Sequence, residues 1–411
     1  MTEARTYNSF GESLTYTASY SGTPCYAAQY TRDPRGRVTQ QVETLGGVPT
    51  TFDYHYGAAS RLIQVQQNGT TTASYTYDSN GNRLTGPGLG SLPTYDDQDR
   101  LLQYGATHYT YTANGELATK TVGTNTTTYT YDELGNLTRV VLPGGTQIDY
   151  LIDGEHRRIG KKVSGVLTKG YLYDGRLRLV AELDGMGNLV SRFVYGSRAN
   201  VPDYMVKGGT TYRIITDHLG SPRLIVDVAT GAVAQQLDYD EFGNVLPDTN
   251  PGFQPFGFAG GLYDPDTGLV RFGARDYDAE TGRWTTKDPI RFGGGDTNMY
   301  AYVGGNPITR VDPLGLYWFR QPWQTDFVVG RERSLVEPGD PISRFIEDYV
   351  PAGRTFGERH DTFVDAATSA GIPDWLTNIP SMIPMYGGAL SKEVLRTFGI
   401  LEQPTPPTLC K

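Results

Sequence analysis

Apolar and polar positions alternate along much of the chain with a period of two. Stretches such as Tyr-Thr-Tyr (75–77) and Thr-Thr-Tyr-Thr-Tyr (127–131) place aromatic rings on one face of an extended segment and threonine on the other. These runs are short and separated by Asp, Asn and Gly, so the pattern predicts many strands joined by tight turns. Near Leu316 the texture changes, and three of the four tryptophans (Trp318, Trp323, Trp375) lie beyond it. Past an irregular entry, helical spacing is found at 343–350, at 358–371, where Phe363, Val364 and Ala367 form a stripe before Gly371, and at 390–401.

The strands repeat. "YTYDSNGNRL" (75–84), "YTYTANGEL" (109–117), "YTYDELGNL" (129–137) and "LDYDEFGNV" (237–245) share one template, a Tyr, often an Asp, and a Gly four residues after the Tyr. Anchor tyrosines at 56, 77, 95, 111, 131, 150, 173 and 195 recur at steps of 16 to 23 residues, the length of one β-hairpin. A lone hairpin cannot bury its aromatic face, whereas stacked hairpins form a continuous sheet. The reading is a mainly β chain: a hairpin array followed by a small, mainly α C-terminal segment.

Composition narrows the function classes. Fifty-one glycines and 29 tyrosines suit turns and strands, and a formal charge of −9 argues against general affinity for nucleic-acid backbones. Two cysteines, Cys25 and Cys410, rule out a disulfide framework or a four-thiolate zinc site, and five scattered histidines point to no metal cluster. Neither metal nor cofactor is expected. No 18-residue apolar run predicts a membrane-spanning helix, and the first residues lack the apolar core of a Sec signal peptide.

The repeats, together with "GFAGGLYDPDTGLVRFGARDYDAETGRWTTKDPIRFGGGDTNMYAYVGGNPITRVDPLGL" (257–316), resemble the YD-repeat (Rhs) family. The resemblance implies a hairpin array over 1–256 that forms part of a spiral shell, or cocoon. It further implies a repeat-associated core over 257–316 and a variable cargo, toxin-like in the family, over 317–411. The resemblance implies a bacterial protein that is secreted or placed at the cell surface by a specialised secretion system, and it implies partners: secretion or N-terminal shell components, and an immunity protein against the cargo. The chain begins already in repeat register, so it is expected to be the C-terminal part of a longer protein or a truncated copy.

Asp288 and Asp312 flank the end of the core, 24 residues apart, far enough for a strand-turn-strand return to bring them together. Two adjacent carboxylates that share a proton supply the base and the acid that amide hydrolysis needs. Asp-Pro is also a common turn starter, and Asp276 and Asp296 lie nearby, so chemistry alone leaves the assignment open. The resemblance implies self-cleavage by Asp288 and Asp312 after the Leu of DPxGL, at Leu316–Tyr317, with Arg283 holding a carboxylate or the oxyanion.

In the cargo, His360 and Asp361 form the one chemically suggestive pair, with Arg354 and Glu358 close in sequence. They resemble the catalytic helix of secretory phospholipases only faintly, and a hydrolase cluster or a solvated, dipole-complementing first turn are the alternatives. For the whole chain the competing classes are a structural surface protein with an inert tail, and a carbohydrate-binding module that exposes its tyrosines.

Overall fold

The computed structural model describes residues 1–320, with side chains up to Trp318, all within one compact unit, Met1–Trp323. The expected helices and the residues Arg354, Glu358, His360 and Asp361 lie outside the described residues. Thr2–Ser74 form a seven-stranded antiparallel sheet and Thr94–Asp248 a sixteen-stranded one. In both sheets every strand pairs with its neighbours in sequence, as a run of hairpins must. A minimal hairpin links the two sheets, with Tyr77 bridging Arg83 and the Tyr75 amide bonded to the Ile63 carbonyl at 2.8 Å.

Two devices recur along the repeats. In the turn, the Asp side chain is an acceptor hub. Asp132 Oδ1 accepts the amides of Leu134 and Asn136, each at 2.9 Å, and Oδ2 accepts Asn136 Nδ2 at 2.9 Å. Gly135 supplies the positive φ, +80°. The residue four positions after the Asp completes the hub. It is Asn after Asp78, Asp184 and Asp240, and Arg after Asp33, Asp96 and Asp153. The second device is the anchor tyrosine, whose hydroxyl donates to a carbonyl one repeat back: Tyr56 to Val38 (2.7 Å), Tyr77 to Leu62 (2.9 Å), Tyr173 to Arg158 (2.9 Å) and Tyr195 to Leu179 (2.9 Å). Each such bond contributes about 1 kcal/mol and pins one hairpin to the last.

Tyr150 departs from the expected series. Ile152 occupies the position before the turn Asp153, and Tyr150, two residues earlier, points to the other layer, donating to Asp264 Oδ2 at 2.6 Å. The 20-residue spacing survived because Tyr is also used on the core-facing positions of the strands.

Other tyrosines are buried, Tyr16, Tyr26, Tyr30, Tyr54, Tyr109 and Tyr129 among them, so the rows of exposed rings a carbohydrate-binding surface requires are not formed by these residues. Against the aromatic face sits a small antiparallel sheet of Leu262–Asp264, Leu269–Phe272, Arg275–Asp278 and Arg283–Trp284. Its centre is an aromatic cluster of Phe258, Phe272, Tyr277, Trp284 and Tyr302, with the Tyr277 and Tyr302 ring centroids 4.3 Å apart. Phe256 meets Phe193 edge-on at 5.1 Å, and Tyr300 donates to the Gly115 carbonyl at 2.7 Å. The small sheet is thereby fixed to the array by both packing and polar contacts.

Candidate functional site

Asp288 and Asp312 each begin an Asp-Pro turn. The Asp288 Oδ1 accepts the Ile290 amide at 2.9 Å and the Asp312 Oδ1 accepts the Leu316 amide at 3.0 Å, the same acceptor role the repeat aspartates play. Four residues on, however, stand Phe292 and Leu316 instead of Asn or Arg, so Oδ2 of each turn is left for another partner. Arg275 takes both. Its Nη2 lies 2.8 Å from Asp288 Oδ2 and 3.2 Å from Asp312 Oδ2.

Arg275 was not among the expected site residues. It stands at the start of an inner strand with its guanidinium 4.1 Å over the Trp284 ring, and its Nε donates to the Gly315 carbonyl at 2.6 Å. One side chain therefore grips two carboxylates and the backbone just before Leu316. Arg283, the expected partner, is directed elsewhere. It donates to Asn82 Oδ1 at 2.8 Å and to the Asp99 carbonyl, between the rings of Tyr95 and Tyr300, and so joins the small sheet to the array. The side chains of successive residues on a strand alternate in direction, but nothing in the local spelling separates an arginine aimed at the loop from one aimed at the array.

The route from Asp288 to Asp312 is also less regular than a strand-turn-strand. A 3-10 turn follows at Arg291–Gly294, the chain returns so that the Asp288 amide bonds the Met299 carbonyl at 3.0 Å, and a second 3-10 turn at Val303–Gly305 precedes the short strand Arg310–Val311. Asp276 is consumed by Arg158 and Arg271, each at 2.7 Å. Asp296 lines the same cavity as the pair and accepts the Asn298 amide.

The bond Leu316–Tyr317 lies against these groups. The amides of both Leu316 and Tyr317 donate to the Asp312 carboxyl. A methyl group added to Gly294 would stand 2.5 Å from Asp288 Oδ2 and 2.9 Å from the Leu316 carbonyl oxygen, so a side chain there would collide with both. The loop is held from below by an interlock: Gly315, at φ +64°, faces the Phe272 carbonyl with 2.3 Å to an added Cβ, and Gly273 faces Leu314 in the same way. Downstream, the Arg310 guanidinium lies 3.8 Å over the Trp318 ring, and Phe319–Arg320 pair with Arg310–Val311.

Burial dominates the electrostatics. Asp312 is only 2% exposed, and desolvation pushes its carboxyl from 3.8 up to about 7 in spite of Arg275. Desolvation also raises Asp288, with Arg275 opposing, and lowers Arg275 itself. A single cation between two carboxylates leaves one negative charge in excess, and a proton held on Asp312 removes it. The cavity enclosed by Arg275, Asp288, Gly294, Asp312, Leu316 and Tyr317 measures about 10 Å³, the room of one water molecule.

Known proteins place this architecture. The family description "Teneurin YD-shell" matches residues 1–308. The chain is 30% identical over 335 residues to Teneurin-3 of Danio rerio, covering 76% of this chain and 12% of that protein. It is 30% identical over 278 residues to the tRNA3(Ser)-specific nuclease WapA of Bacillus spizizenii, covering 64% of this chain and 12% of WapA. Among solved structures, TcdB2-TccC3-TEV is similar in fold, with a TM-score of 0.51 and 17% identity over 76% of this chain and 19% of that one. The chain thus spans about an eighth of these curated relatives. With the strand array, the turn aspartates and a match across three quarters of its length, the chain belongs to the YD-shell family of Rhs/YD-repeat proteins.

Proposed function

We propose that this chain is a component of an Rhs-type toxin: a YD-repeat shell whose core cuts the Leu316–Tyr317 bond once and separates residues 317–411 as cargo. The observation that carries the reading is a single one. Two buried aspartates share one guanidinium nitrogen, and one of them receives the amide of that bond, at Tyr317, together with the amide of Leu316 before it.

The chemistry follows from the charge distribution. Asp288, beside the Leu316 carbonyl, acts as base on a water molecule in the small cavity. Water adds to the Leu316 carbonyl carbon and gives one proton to Asp288. Asp312, held protonated by burial, passes its proton to the departing Tyr317 nitrogen as the C–N bond breaks. The products are a carboxyl at Leu316 and an amine at Tyr317, with the proton moved from Asp312 to Asp288. Arg275 positions both carboxylates and the Gly315 carbonyl, and no diffusion step is needed because the substrate is the chain itself. Trp318 on Arg310 keeps the new N-terminus docked after the cut.

Placement in an extracellular or injected bacterial toxin rests on WapA of Bacillus spizizenii, a nuclease by name. A cognate immunity protein and delivery components are the partners this reading requires, and residues 317–411 carry the toxic activity, with His360 as its candidate centre. Purifying the chain and reading it on a denaturing gel tests the cut. The reading requires a fragment of roughly 10 kDa, 95 of the 411 residues of a 45.2 kDa chain, whose N-terminal sequence begins Tyr317-Trp318. A chain that stays at full mass returns it to the structural class.

A further inference from the structure

On the far side of the Asp312 loop, where Gly273 and Pro313 form one wall, lies a second cavity of about 40 Å³. Its charged lining consists of Arg157, Arg158, Arg176 and Arg271, and no acidic residue lines it. Arg158 and Arg271 are each 3% exposed and divide one carboxylate, that of Asp276, between them. Both leave an Nε donor buried with no acceptor. Arg157 has Asp153 at 2.7 Å and Glu155 at 3.5 Å, while Arg176, exposed at the turn, makes no ion pair among the described residues.

A buried donor without an acceptor costs about 1–3 kcal/mol, and four guanidiniums converge on a cavity that no carboxylate lines, Asp276 and Asp264 acting on the two buried ones from outside it. A small anion with several acceptor oxygens answers both. The volume accommodates a few waters or one tetrahedral oxyanion, and planar forks of N–H donors are the side chains best matched to it.

We infer that this cavity is an oxyanion site of the phosphate type, which ties the repeat strands around Arg158 and Tyr173 to the segment carrying Asp312. Arg176 forms its mouth and the buried arginines its floor. The inference is independent of proteolysis, since no carboxylate of the candidate dyad lines the cavity.

The test uses the purified chain and inorganic phosphate against chloride at constant ionic strength and pH. Wild type and Arg176→Glu are compared by calorimetric titration and by melting temperature. The site requires saturable phosphate binding in the wild type and at least a tenfold weaker Kd in the variant. The phosphate-induced rise in Tm must shrink in parallel. Arg176 is exposed, so the variant is expected to fold, and its unchanged Tm in chloride checks this. Phosphate also stabilises proteins generically by exclusion from their surface. An equal Tm rise in both chains, or no saturable heat in the wild type, overturns the inference.

Discussion

Replacing Asp312 with Asn keeps the shape of the loop and removes its proton. The amide oxygen can still accept the Leu316 amide, 3.0 Å away in the wild type, but a carboxamide cannot deliver a proton to the Tyr317 nitrogen. General acid–base groups are worth about 10²–10⁴ in rate, so the variant should cleave at least 100-fold more slowly, about 3 kcal/mol in barrier. The wild type carries a pH signature of the same group. With the Asp312 carboxyl at about 7, the rate should fall about tenfold per unit above pH 7, and the Asn variant should lack that limb. Time courses on denaturing gels from pH 5 to 9 measure both. Stability supplies the control for misfolding. The folded carboxyl sits above its ordinary value of 3.8, so folding takes up a proton between the two values. Wild-type stability then falls as pH rises through that window, by up to about 4 kcal/mol. The Asn variant escapes this loss and should melt at or above the wild type at pH 8, while matching it more closely below pH 4. A variant that cleaves within threefold of wild type, or a wild-type rate still rising at pH 8, refutes the assignment of Asp312 as acid.

Other outcomes follow from the same geometry. Arg275→Lys loses the shared contact to Asp288 and Asp312 and the Nε bond to Gly315, and should slow cleavage at least tenfold. Arg283→Lys should leave the rate within threefold but lower stability by about 1–3 kcal/mol, because its partners are Asn82 and Asp99; denaturant midpoints and gels separate the two arginines. Gly294→Ala forces a methyl between Asp288 and the Leu316 oxygen and should suppress cleavage without moving Tm by more than a few degrees. Asp132→Ala strips the turn hub of three bonds and should cost about 1–3 kcal/mol in chemical denaturation, with cleavage unchanged. Trp318→Ala should let the roughly 10 kDa fragment separate from the shell on gel filtration, where the wild-type fragment co-elutes; co-elution of the variant fragment excludes the Arg310 stack as the anchor.

The sequence alone determined the repeat, because a period of two and an Asp-to-Gly turn are local properties written within ten residues. It also marked Asp288 and Asp312. A comparison of the turns strengthens that mark: seven of the Asp hubs, those of Asp33, Asp78, Asp96, Asp132, Asp153, Asp184 and Asp240, are completed by Asn or Arg four residues on, and these two are followed by Phe292 and Leu316. Spacing misassigned Tyr150, since the same residue serves as turn anchor and as core-facing ring, and periodicity cannot distinguish positions two residues apart on one face. Tertiary structure decided which arginine serves the aspartates. Arg275 lies 13 residues before Asp288 and 37 before Asp312, and the contact exists because an inner strand and two irregular returns converge on Trp284. Nor could the sequence assign Gly294 its part, since the need for a missing side chain arises only where two distant backbones meet. Burial did the rest: a carboxyl is pushed up towards neutral pH by its surroundings, and those are assembled from separate segments between Arg275 and Trp318.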